Sequence, residues 1–175
     1  ENQSTVILLD NSYSMQYGDR FESARSAALQ HINAASGQDE LSVIAFSDQV
    51  QQLTSLDTDH SLHRAAIENA AQTSHRTTNF YNPLRLAEEV LQEARHDSRR
   101  IVLISDFQNA GWTESIGRWK LSPNIAFDPI HVGTPDPENT FVDTVKLTQQ
   151  RRGDRVMIQY GARVNGSNPD APNNL

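Results

Sequence analysis

The 175-residue chain has no cysteine. A disulfide framework, a thiolate metal centre and a cysteine nucleophile are thereby excluded. No apolar run approaches the roughly 20 residues of a membrane helix, and no signal-peptide pattern opens the chain. This segment itself is therefore expected to make no membrane contact. Positive charge is scarce as well: 15 lysines and arginines face 22 acidic residues, for a formal net charge of −7. The basic clusters are Arg99-Arg100 and Arg151-Arg152, both short. Nucleic acid needs a basic face, so that class of partner falls away. What remains, with 37% hydrophobic residues, is enough for one full domain with its own core and an appendage.

Apolar blocks alternate with helical patterns along the first three quarters of the chain. Val6 to Leu9, Leu41 to Phe46, Val50 to Leu53, Ile101 to Ile104 and Ile125 to Val132 read as strands, the last interrupted by Pro129. The first and fourth are all-apolar, the sign of strands covered on both faces. Phe21, Ala24, Ala28, Ile32 and Ala35 repeat at helical spacing, with Gly37 as a stop. Leu62, Ala66 and Ala70 mark a second helix capped by Asp59 or Ser61, and Leu84, Ala87, Leu91 and Ala94 a third with Pro83 in its first turn. A shorter helix is expected over Thr113 to Trp119, with Trp112 and Trp119 on one face. This order predicts an α/β doubly wound, mostly parallel sheet with one antiparallel edge strand. Ligands of such sheets bind outside the carboxyl ends of the strands.

From about residue 138 the pattern changes. Val156, Ile158, Tyr160, Ala162 and Val164 alternate strictly, and Phe141 to Leu147 can pair with them through a turn at Arg152-Gly153-Asp154. Residues 1–137 thus read as the α/β domain, and 138–175 as the start of a β-rich module of the β-sandwich kind that is cut short. The sequence also opens almost inside a strand, as expected of a piece excised or processed from a longer chain.

The chemistry concentrates at two strand ends. "VILLDNSYSM" places Asp10, Ser12 and Ser14 behind an aliphatic run, and "LISDFQNAG" places Asp106 behind another. "RTTNFYNP" adds Thr77 or Thr78 just before a helix. A cap, a nucleophile with helpers and half of a metal site all fit the first stretch on its own. Hard oxygen donors suit Mg²⁺ or Mn²⁺. A phosphoryl-accepting aspartate would want a second aspartate at the position of Ser12, and no lysine lies near Asp106 to hold a phosphate. Serine catalysis lacks a histidine at a strand end apart from His131, which reads as a structural residue. His60 and His63 lack a third ligand nearby and read as a solvated pair.

With these residues in view, the chain resembles the von Willebrand factor A (vWA) family over roughly residues 4–134. Its anchor is D-x-S-x-S, here Asp10-Asn11-Ser12-Tyr13-Ser14 after an apolar strand. The resemblance implies a metal-ion-dependent adhesion site built from Asp10, Ser12, Ser14, Thr78 and Asp106. It implies Mg²⁺, or Mn²⁺ or Ca²⁺, with an open position that takes a Glu or Asp carboxylate from a partner protein. No catalysis is implied. Two departures stand out: Ser74-His75-Arg76-Thr77 replaces a glycine-rich loop, and Phe107 follows Asp106 where glycine is common. "LLDNSYSM", "LISDFQNAGW" and "DPIHVGTPD" look closest to bacterial membrane-anchored BatA-type members. In these a membrane segment precedes the domain, so the expected setting is the extracytoplasmic part of a membrane-anchored bacterial protein.

Overall fold

In the computed structural model, the residues described are 2–108, 111–112, 116, 119–133, 141–152 and 155–165, with backbone alone for 70 and for 141–165. Strands β1 (Gln3–Asp10), β2 (Glu40–Phe46), β3 (Val50–Gln52), β4 (Ser98–Ser105) and β5 (Ile125–His131) form one sheet in the order β3-β2-β1-β4-β5. All neighbours run parallel except β3, which pairs antiparallel with β2. This is the mixed, mostly parallel sheet that the sequence predicts, with its antiparallel strand at the edge. Helices α1 (Arg20–Ala34), α2 (His60–Ala65) and α3 (Tyr81–Gln92) flank it.

Alternation along the strands explains the layering. Ile7 and Leu9 of β1 face Ala24, Ala28 and Ile32 of α1, together with Ile67 in the wider π-type turn Ala66–Ala70 that follows α2. Val6 and Leu8 point the other way, toward Leu84, Ala87 and Leu91 of α3 and toward Phe46 and Phe80. Successive strand side chains point to opposite faces, so a strand buried on both must be apolar throughout. Each fully buried valine, leucine or isoleucine among them contributes about 1.5–3 kcal/mol by leaving water.

Local chemistry sets the helix ends. Asp59 caps α2 by accepting from the Ser61 N–H at 3.1 Å. Pro83 lies in the first turn of α3, where its missing N–H is harmless, and the Asn79 side chain accepts from Tyr81 N at 2.9 Å. The expected helix over Thr113 to Trp119 falls mostly outside the described residues. The two tryptophans meet different surroundings: Trp112 packs on Phe80, with ring centroids 4.7 Å apart, while Trp119 donates its indole N–H to Glu88.

Residues Glu1–Gly133 form one compact unit and Thr134–Leu175 a second. Within the second, β6 (Phe141–Arg152) and β7 (Arg155–Asn165) pair antiparallel as a hairpin with Arg152 opposite Arg155. A register shift falls between Val142 and Thr144.

Candidate metal centre

The parallel register sets the site. β1 lies between β2 and β4, Leu9 opposite Ile104 and Asp10 opposite Phe46, so the chain leaves β1 and β4 side by side at the same edge. Three loops meet there and are tied by backbone bonds. Tyr13 N donates to Arg76 O at 2.7 Å and Ser74 N to Asn11 O at 2.7 Å, joining the β1 loop to the threonine loop. Phe80 N donates to Gly111 O at 3.2 Å, joining that loop to the one after β4. Gly111 is required by space: a Cβ there would stand 2.5 Å from a Phe80 ring carbon and 2.7 Å from the Thr78 methyl.

The five expected residues come together. Thr78 Oγ1 lies 3.4 Å from Asp10 Oδ2, Ser12 Oγ 3.3 Å from Ser14 Oγ, and Ser14 Oγ 3.1 Å from Asp106 Oδ1. Ser12 N closes the loop on Asp10 Oδ1 at 2.9 Å. Asp10, Ser12, Thr78 and Asp106 are buried and Ser14 half-buried, whereas Thr77 is exposed; Thr78 is the threonine that reaches the cluster. Among the described residues no group of three or more His, Cys, Asp or Glu side chains is arranged to hold a metal ion. A cation here would rest on two carboxylates and three hydroxyls. That donor set fits a hard ion: six oxygens at about 2.1 Å around Mg²⁺ stand about 3 Å apart, close to the spacings found.

Electrostatics separates the two carboxylates. Burial pushes the Asp10 carboxyl above the ordinary carboxylate range, and the Asp106 charge adds to this. Hydrogen bonds from Ser105 (Oγ to Oδ2, 2.5 Å) and from Ser12 pull the other way. Asp106 has a cation of its own, Arg20, whose Nη1 stands 2.8 Å from Oδ2; Gln108 Nε2 donates to the same oxygen at 3.2 Å.

The residues 5–108 match the von Willebrand factor type A domain profile. The chain belongs to the von Willebrand factor type A domain family. Solved structures agree on the fold. The three N-terminal domains of the type V pili tip protein Mfa5 from Porphyromonas gingivalis match at 19% identity and TM-score 0.54, over 60% of this chain and 20% of that one. An aerotolerance-related membrane protein from Bacteroides fragilis, in a form with multiple mutations to serine, matches at 19% identity and TM-score 0.63, over 91% and 81% of the two chains. Proximal thread matrix protein 1 from the mussel byssus, with a zinc-occupied MIDAS motif, matches at 18% identity and TM-score 0.62, over 76% and 36%. No curated protein matches the chain.

Within this vWA domain, Phe107 answers one of the sequence departures. Its φ is +51°, so the position after Asp106 takes the left-handed backbone that favours glycine, and a phenylalanine occupies it. Its ring packs on Phe80 (5.8 Å) and lies parallel to the exposed His131 (6.2 Å). The histidine pair is corrected. His63 is fully buried; its Nδ1 pairs with Thr54 Oγ1 at 2.8 Å and its Nε2 with Asp57 O at 3.0 Å. Both ring nitrogens are used within the fold, which makes His63 a structural residue rather than half of a solvated pair. Sequence reading missed Arg20, Ser105 and Gly111. Ser105 had a faint signal, a hydroxyl closing an apolar strand; Arg20 had none.

Proposed function

We propose that this vWA domain binds a divalent cation, Mg²⁺ first and Mn²⁺ or Ca²⁺ as alternatives, through Asp10, Ser12, Ser14, Thr78 and Asp106. The bound ion then takes a Glu or Asp carboxylate from a protein partner. The observation that carries this reading is the convergence of five oxygen side chains from three loops, at spacings that suit a small hard ion. A shell rich in neutral hydroxyls leaves the ion electrophilic enough to want one more anion. The zinc-occupied motif of the byssal relative supports metal use in this fold. The domain acts by adhesion, and no residue is assigned a catalytic role.

The setting we propose is the extracytoplasmic part of a bacterial membrane-anchored protein of the BatA type, in which a β-rich module follows from about residue 138. Its support is the "LLDNSYSM" and "DPIHVGTPD" stretches and the fold shared with a bacterial membrane protein and a pilus tip protein.

Titration calorimetry with Mg²⁺ tests the site: Asp10→Ala is expected to abolish binding. Unchanged affinity in a folded variant would remove Asp10 from the shell. A second reading, a vWA scaffold whose contacts need no metal, draws on the Arg20 guanidinium already paired with Asp106. Capture of the partner that survives a chelator would favour it.

A further inference from the structure

The Arg20–Asp106 pair is built into the fold. Arg20 Nη1 donates both to Asp106 Oδ2 at 2.8 Å and to the Ser14 carbonyl at 3.3 Å, two groups of the candidate metal centre. Its guanidinium carbon stands 5.3 Å from the centre of the Tyr17 ring, a cation–π contact. Its stem runs along Gly133, where a Cβ would come within 3.0 Å of Arg20 Cγ and Nε; Gly133, at φ +97°, leaves the space the arginine fills. The side chain is 14% exposed and its aspartate 2%. Planar geometry, stacking and confinement hold the charge in place, as an arginine does better than a lysine.

We infer that Arg20 sets the balance between cation and anion affinity at this centre. The inference rests on the metal-binding reading above and deepens it. Asp10 and Asp106 bring two formal negative charges to the cluster, and Arg20 cancels one of them beside Asp106. An incoming divalent ion therefore meets a net charge of −1 rather than −2, next to a fixed cation, and binds more weakly. Once loaded, the same centre carries +1 instead of zero, so it draws an anionic ligand more strongly. Arg20 trades affinity for the metal against affinity for the acidic partner through one fixed charge.

The experiment is calorimetric titration of the whole chain with Mg²⁺ and Mn²⁺, comparing wild type with Arg20→Gln and Arg20→Lys, the fold of each checked by circular dichroism. Removing the charge is expected to tighten metal binding about tenfold or more, while Arg20→Lys stays near wild type. Acetate titrated into the Mn²⁺-loaded proteins should move the opposite way, weaker in Arg20→Gln. A gain in metal affinity is a readout that mere structural damage would not produce. Should the glutamine variant fail to fold, Arg20→Met keeps the stem against Gly133 and carries the same expectation. If wild type binds metal and the neutral variants bind it equally or less well, the role of Arg20 is overturned and the metal site stands. If neither wild type nor the variants bind, both readings fall. Binding by the neutral variants alone would support the role of Arg20 and overturn metal binding by the wild-type domain.

Discussion

Asp10 and Asp106 occupy equivalent places, each at the carboxyl end of a buried parallel strand, yet they are solvated by the protein in opposite ways. Asp10 is surrounded by neutral donors, the hydroxyls of Ser105 and Thr78 and the N–H of Ser12. Burial without a cation lifts its carboxyl above the ordinary range. Asp106 is buried too but has a guanidinium at 2.8 Å. Among the described residues, one carboxylate has a counter-ion and the other has none. Position in a fold therefore does not assign a carboxylate's role; what stands within about 4 Å of it does.

The largest expected effect breaks this contrast directly. In metal-free protein, Asp106→Asn leaves the Arg20 charge mostly buried without its partner and is expected to cost about 2–4 kcal/mol in denaturant unfolding. Asp10→Asn keeps an acceptor for the neighbouring donors and removes a buried charge held by neutral donors alone among the described residues, so its change should stay within about 1 kcal/mol, of either sign. Equal losses in the two variants would mean that the two environments are not as different as described.

A smaller effect sharpens the account of the Asp106 loop. Phe107→Ala loses the ring's packing on Phe80 and His131 and keeps the left-handed backbone penalty; Phe107→Gly loses the packing but relieves the penalty. The glycine variant should be the more stable of the two by about 1 kcal/mol. An alanine variant as stable as the glycine one would contradict the backbone reading.

The smallest effect lies outside both loops and serves as a control for acid sensitivity. Burial lowers the pKa of His63, with the neighbouring His60 adding to it and the Asp57 carbonyl and the charges of Asp57 and Asp59 opposing. A histidine whose folded value lies below its unfolded value contributes stability above the unfolded pKa, near 6.5. That contribution is lost as pH falls through the folded value. His63→Gln should flatten the decline of the melting temperature below that pH. A variant that keeps the full wild-type slope would place the acid sensitivity in other groups.

Much of this was legible in the sequence. The all-apolar stretches Val6 to Leu9 and Ile101 to Ile104 announced strands covered on both sides, and the helical spacing of Ala24, Ala28 and Ile32 announced a packed face, because burial imposes a period on the chain. The placement of Asp10 and Asp106 at the carboxyl edge of the sheet followed from the topology those periods imply, and the structure made their strands neighbours. The choice between Thr77 and Thr78 did not, since two adjacent threonines in a loop have no period to separate them. It took the ties from Arg76 O to Tyr13 N and from Phe80 N to Gly111 O to turn Thr78 inward. His63 was misread for a related reason: a histidine at a helix start carries no mark of burial until Thr54 and Asp57 are brought to it.

By itself, then, the sequence determined the layers of this protein, the edge of the sheet where chemistry gathers, and the oxygen-rich character of that edge. Periodicity and strand-end position are local properties, written in residues a few places apart. Only the tertiary structure decided that a positive charge sits among those oxygens. Arg20 and Asp106 are 86 residues apart, with Gly133 leaving room for the arginine stem from a third segment. Coulomb interactions act through space, and no local pattern records which distant side chains the fold will place 2.8 Å apart.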